Sequence, residues 1–82
     1  MAPAEDDKII AQMIRRLRRE REITQSSVAI HLGVVTNVVS RMEKGTRRIN
    51  LPELRMICEL FGVDLRDFLT EYLRRVQEMS GV

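Results

Sequence analysis

Lysine and arginine form the densest group of chemically active side chains in this sequence, and their chemistry is the binding of polyanions. The chain carries 14 Lys and Arg against 12 Asp and Glu. Residues 1–7 have a net charge of −3, residues 8–48 carry ten basic and three acidic side chains, and residues 49–82 have −2. The basic block predicts a polyanion-binding surface. The alternative is that the following arginines only solvate an exposed helix face: Arg15, Arg16, Arg18, Arg19 and Arg21.

The other reactive side chains lack the partners that catalysis or metal binding requires. His31 is the single histidine, with no cysteine at ligand spacing, so we expect no metal and no cofactor. Cys58 lies on the inward face of a predicted helix with no base nearby, which favours a core thiol over a nucleophile. A lone cysteine also fits a reducing cytoplasm. The acidic residues form no paired site, so the sequence does not indicate an enzyme.

Chain length and hydropathy indicate one domain over residues 1–82. No apolar run approaches the roughly 20 residues that span a bilayer, so we expect no membrane association. The acidic segment 1–7 lacks the pattern of a signal peptide, and we expect it to be disordered. A cytoplasmic location is the resulting expectation.

The spacing of the apolar residues predicts that the basic residues lie on helices. No segment shows the alternation of apolar and polar residues that is typical of a strand. Apolar residues at spacings of three and four predict a first helix from Lys8 to Glu22. Thr24 is a cap for a second helix that ends at Gly33. Asn50, Pro52 and Glu53 form the capping signature of a fourth helix, and a fifth runs from the cap Asp64 to about Met79.

The third helix, from about Val35 to Lys44, has two chemically different sides. Its apolar side comprises Val35, Val38, Val39 and Met42. Its polar side comprises Thr36, Asn37, Ser40, Arg41 and Lys44. The whole pattern predicts an all-α domain of five helices.

The ordered landmarks of this central stretch match one known family. They are Leu17-Arg18, Thr24-Gln25, Val28-Ala29, Leu32-Gly33-Val34, Val39-Ser40, Glu43, Gly45 and Phe61-Gly62-Val63. On these residues the chain resembles the Cro/repressor-type (Xre-like) helix-turn-helix family over about residues 14–69. The resemblance implies a compact lambda-repressor-like fold, with the helix-turn-helix in helices 2 and 3, and a double-stranded DNA partner.

The resemblance also implies which side chains contact DNA. The base-facing residues would be Thr36, Asn37, Ser40 and Arg41, since an amide suits adenine and a guanidinium suits guanine. The alternative for these four is a merely solvated face. The phosphate contacts would be Gln25, Lys44, Thr46, Arg47 and Arg48. Arg18 and Glu43 would form a structural ion pair, although Arg18 could also reach a phosphate.

Two residues depart from the family pattern. Val35 stands where the family usually has Ser or Thr, and valine cannot cap a helix. The third helix could therefore begin later, with Thr36 as its cap, which would put base reading by Thr36 in doubt. Ile30 stands at an exposed position that is usually polar, and we assign it no function.

The fifth helix, residues 64–79, is expected to form a homodimer interface. Its apolar stripe comprises Leu65, Phe68, Leu69, Tyr72, Val76 and Met79, with Leu73 at the flank. The alternative is that this stripe folds back on its own domain. The leading hypothesis is thus a homodimeric transcription regulator on an inverted-repeat operator, of the phage-repressor or restriction–modification-controller kind, with no small-molecule ligand. The alternative function is a helical protein-interaction module that does not bind DNA.

Overall fold

Five α-helices and no strand make up residues 5–79, the part of the chain that the computed structural model describes. They are α1 (Glu5–Glu20), α2 (Gln25–Leu32), α3 (Thr36–Lys44), α4 (Leu51–Phe61) and α5 (Leu65–Met79). The all-α architecture predicted from periodicity is confirmed. No helix in this range has the length and apolar character needed to cross a membrane.

The helix boundaries follow from local capping. The Thr24 side chain accepts a hydrogen bond from the backbone N–H of Ser27, and Asn50 and Glu53 form both hydrogen bonds of a capping box. Gly33 ends α2 with φ of 73°, a left-handed conformation that glycine adopts without a Cβ clash. This glycine allows the tight turn that leads from α2 into α3.

The acidic start of α1 differs from the expected disordered segment. Glu5, Asp6 and Asp7 form the first helical turn, whereas residues 1–4 lie outside the described range. Carboxylates are stabilised at a helix N-terminus by the free N–H groups and the helix dipole. Asp7 also forms an ion pair with Arg48 at 3.2 Å, so the segment is held by the domain as well.

The core lies where α1, α2, α4 and α5 meet, with α3 packed on α1 and α2. Its buried apolar side chains include Met13, Ile14, Val28, Val39, Leu54, Ile57, Phe61 and Phe68. Cys58 is buried among them, and this burial raises the pKa of its thiol. Within residues 5–79, no three His, Cys, Asp or Glu side chains come together as a possible metal site.

Most of the predicted stripe on α5 faces its own domain. Phe68 is only 3% exposed, and Leu65, Leu69 and Tyr72 pack against the same core. The Tyr72 hydroxyl donates to Asp6 Oδ2 at 2.8 Å, and this bond raises the pKa of the tyrosine. The amphipathic faces of α1 and α5 thus pack against each other, and Phe68 lies in the core of its own domain instead of the predicted dimer interface. Leu65, Leu69 and Tyr72 remain partly exposed, so their place in an interface stays a prediction.

Candidate nucleic-acid interface

The α2–α3 pair holds one helix at the surface in a fixed orientation. Val28 and Ala29 of α2 and Val39 and Met42 of α3 are all buried. The end of α2 is closed by hydrogen bonds from the C-cap at Gly33, whose backbone N–H is directed at the carbonyls of Ala29 and Ile30. Since the inward side chains of α3 are locked in the core, its opposite side is presented to solvent.

The outward side of α3 carries the side chains predicted to face bases. Thr36, Asn37 and Arg41 are exposed, and Ser40 is half-buried. Within residues 5–79, none of these four side chains donates a hydrogen bond or forms an ion pair. Their hydrogen-bonding groups are therefore available to a ligand, and a single helix of this kind fits the major groove.

The structure shows which residue is the N-cap of α3 and where this helix begins. Val35 is the N-cap residue, with no side-chain hydrogen bond, and it is 69% exposed. Thr36 is the first residue of the helix and not its cap. Thr36 therefore remains on the outward side with Asn37, while Val35 does not join the apolar face as predicted because the helix starts after it.

A nearly buried ion pair anchors α3 to α1. Arg18 Nε lies 2.6 Å from Glu43 Oε2, and Arg18 Nη2 lies 3.0 Å from Glu43 Oε1. The side chains are 13% and 3% exposed. Gln25 Nε2 donates to the same Glu43 Oε1 at 3.0 Å, so the amide predicted to bind phosphate is already engaged in this anchor.

The loop after α3 holds its arginines against acidic groups. Arg47 Nη1 lies 2.7 Å from Glu53 Oε1, and this hydrogen bond raises the pKa of Arg47. Arg48 is paired with Asp7, and Thr46 Oγ1 donates to the carbonyl of Arg41. These three predicted phosphate contacts therefore have partners within the chain, which a DNA phosphate would have to replace.

The structure brings next to α3 two residues of the basic block to which the sequence analysis assigned no individual DNA contact. Arg15 and Arg19 of α1 line a notch together with Ser40 and Lys44 of α3. Their i, i+4 spacing put them on one face of α1, which was the available signal. That spacing could not show that this face borders α3.

Comparison with known proteins gives one consistent family. Residues 13–71 match the model of the Cro/C1-type HTH DNA-binding domain. The chain is similar to the HTH-type transcriptional regulator PrpR of Mycobacterium tuberculosis, with 34% identity over 84% of this chain and 14% of PrpR. It is also similar to the Cryptic phage CTXphi transcriptional repressor RstR of Vibrio cholerae, with 29% identity over 85% of this chain and 63% of RstR. The chain thus spans less than two thirds of either protein.

Solved structures show the same arrangement of helices. The wild-type restriction-modification controller protein C.Esp1396I superposes with a TM-score of 0.78 at 17% identity, covering 92% of this chain and 97% of that one. The clp gene regulator ClgR from Corynebacterium glutamicum superposes with a TM-score of 0.76 at 21% identity, covering 99% and 90%. At these identities the likeness establishes the fold.

Proposed function

Because the chain belongs to the Cro/C1-type helix-turn-helix family of DNA-binding domains, we propose that it is a transcription regulator that binds an inverted-repeat operator as a homodimer. In this proposal α3 lies in the major groove, and Thr36, Asn37, Ser40 and Arg41 contact base edges. Gln25, Lys44 and the loop residues Thr46, Arg47 and Arg48 contact flanking phosphates, which position the protein without selecting sequence.

The observation that carries the proposal is the two-sided character of α3. Val39 and Met42 fix its inner side in the core, whereas Asn37 and Arg41 are exposed on its outer side and have no side-chain partner among residues 5–79. An amide and a guanidinium can each form two hydrogen bonds to a base edge, with adenine and guanine respectively. Such side chains, held at a fixed angle by the packed helix, support direct reading of a short sequence.

Selection of binding sites from a random DNA library tests the proposal. We expect an enriched inverted repeat whose half-sites are one helical turn, ~34 Å, or a multiple of it apart. Binding to random DNA should weaken steeply between 50 and 200 mM salt, since phosphate contacts release counterions. Absence of enrichment, together with binding that salt does not change, would instead favour a protein-interaction module.

The dimer interface is proposed to lie on the outer part of α5. Leu73 and Met79 are 58% and 52% exposed, and Val76 between them is half-buried. Exposed apolar side chains at spacings of three on one helix favour a surface that a second copy covers. A two-fold dimer would present two copies of α3 to successive major grooves, so that binding one half-site raises the local concentration at the other.

Charge placed on this surface tests the dimer separately from the fold. Leu73→Glu should shift the protein toward monomer in sedimentation at tens of micromolar, with its helical circular dichroism unchanged. Operator binding should weaken more than binding to a single half-site. Leu51→Glu is the matched control, because Leu51 is an equally exposed leucine at the start of α4. A monomeric wild type at these concentrations would contradict the proposed interface.

A further inference from the structure

The cations of this protein divide into those with a partner in the chain and those without one. Of the 14 lysines and arginines, all within residues 5–79, most bond to a carboxylate or a carbonyl of the chain. Within those residues, five have no such side-chain partner: Arg15, Arg19, Arg41, Lys44 and Arg66. Four of these five lie on α1 and α3, so the unneutralised positive charge is concentrated on one surface.

Three of the unpaired cations surround the notch between α1 and α3. Arg15 and Arg19 approach it from α1, and Lys44 approaches it from α3. The notch has a volume of about 110 Å³. Its one acidic residue, Glu43, is already bonded by Arg18. Glu43 therefore does not neutralise the three cations at the rim of the notch.

The notch is continuous with the outward side of α3. Ser40, one of the proposed base-facing residues, also lines the notch. A DNA strand along the edge of the groove that α3 occupies would therefore pass beside Arg15 and Arg19. Phosphate is the group on such a strand that matches several cations, and guanidinium groups bind it through paired N–H donors.

We propose that the notch binds one backbone phosphate flanking the half-site, held by Arg15, Arg19 and Lys44. This assignment rests on the proposed function and adds a contact from α1. The contact would fix the tilt of α3 in the groove together with the contacts from the Thr46–Arg48 loop. It contributes affinity on every DNA sequence, because phosphates are the same at each step.

The test compares two double variants that remove the same charge. Arg15→Ala/Arg19→Ala removes the cations of the notch, and Arg55→Ala/Arg66→Ala removes two exposed arginines of α4 and α5. Alanine supports a helix at all four positions. We expect the notch variant to lose roughly tenfold in affinity at 0.15 M salt, equally on operator and random DNA, with the salt slope reduced by up to ~2. The control variant should keep most of the wild-type affinity and slope.

A neutral methylphosphonate at single backbone positions locates the contact. One flanking position should weaken binding by the wild type and have no further effect on the notch variant. A notch variant that matches its control overturns the assignment while the wild-type slope still supports the proposed function. If the notch variant lost affinity for operator DNA alone, its arginines would be reading bases, and the phosphate assignment would also be overturned. Wild-type binding that salt does not change would overturn the proposed function, and the assignment with it.

Discussion

Arg18 of α1 and Glu43 of α3 form a nearly buried ion pair across 25 residues of sequence, with Nε 2.6 Å from Oε2. Arg18 also donates to the carbonyl of Ile23 at 2.8 Å, so the same guanidinium holds the turn before α2. One side chain thus connects α1, α3 and the turn between α1 and α2, and the orientation of α3 depends on it. Such a pair is costly to break from one side, because the remaining charge stays buried without its partner.

We expect Arg18→Ala to lower the free energy of unfolding by about 3–5 kcal/mol, as measured by urea denaturation. Arg19→Ala, one position along the same helix, removes an exposed arginine that has no side-chain partner in the described part of the chain, and it should change stability by less than about 0.5 kcal/mol. Replacing Arg18 and Glu43 together with leucine should recover much of the loss. Equal losses in the two single variants would contradict the anchoring role.

The missing side-chain cap of α3 predicts a stabilising substitution. Val35→Thr keeps the branched shape of the side chain and supplies a hydroxyl that can accept from a first-turn N–H. We expect a gain of about 0.5–1 kcal/mol in the free energy of unfolding, seen as a rise of several degrees in Tm. Val35→Ala, which also cannot cap, should show no such rise. A Thr variant no more stable than the Ala variant would mean that the hydroxyl does not reach the helix.

The Glu53 carboxylate predicts a pH-dependent part of the stability. Burial, the largest influence, raises the pKa of Glu53, but hydrogen bonds from Arg47 and from the N–H of Asn50 together bring it below its ordinary value. Since the folded pKa is below the unfolded one, about 4.3 for glutamate, this contribution is present above that value. It is lost as the pH falls through the folded pKa.

Glu53→Gln should therefore be less stable than the wild type at pH 7 by about 1 kcal/mol, and the difference should shrink toward pH 3. Gln can still accept the capping hydrogen bond, so the variant isolates the charge on the carboxylate. Denaturation at both pH values measures the effect. Glu59→Gln, at an exposed position of α4, is the control and should differ little from the wild type at either pH. A Glu53→Gln difference that is the same at pH 7 and pH 3 would rule out the carboxylate as its source.

Arg41 is expected to read a base. Arg41→Ala should cost on the order of 1–3 kcal/mol on operator DNA and relax the preference at one position of each half-site. Lys44→Ala, one turn further along α3, should instead weaken operator and random DNA by the same factor. Binding assays on both DNAs at fixed salt distinguish the two outcomes. Equal losses for Arg41→Ala on operator and random DNA would make Arg41 a phosphate contact.

The Asp7–Arg48 ion pair predicts that the acidic turn of α1 moderates DNA affinity. Asp7→Asn removes the carboxylate that competes with phosphate for Arg48, and we expect binding to all DNA to strengthen by up to about fivefold. Asp67→Asn removes the same charge from the exposed surface of α5 and should have a smaller effect. If the two variants bind equally well, net charge alone accounts for the change.

The sequence by itself determined the helices and the two sides of α3. Thr24, Gly33 and Asn50 mark helix ends because capping depends on side-chain oxygens and left-handed glycines within a few residues. The side of α3 that faces the core follows from the 3.6-residue period, which places Val39 and Met42 together. These signals are local, so they are visible in the chain without its tertiary structure.

The tertiary structure alone decided which charges are neutralised and which apolar faces are covered. Asp7 and Arg48 are 41 positions apart, and no spacing rule connects them, because their contact depends on how α1 lies beside the loop after α3. An apolar stripe that packs on its own domain and one that packs on a second subunit have the same periodicity. The sequence of α5 therefore could not distinguish these two possibilities. Phe68 lies in the core because α1 and α4 offer the apolar surface that it packs against.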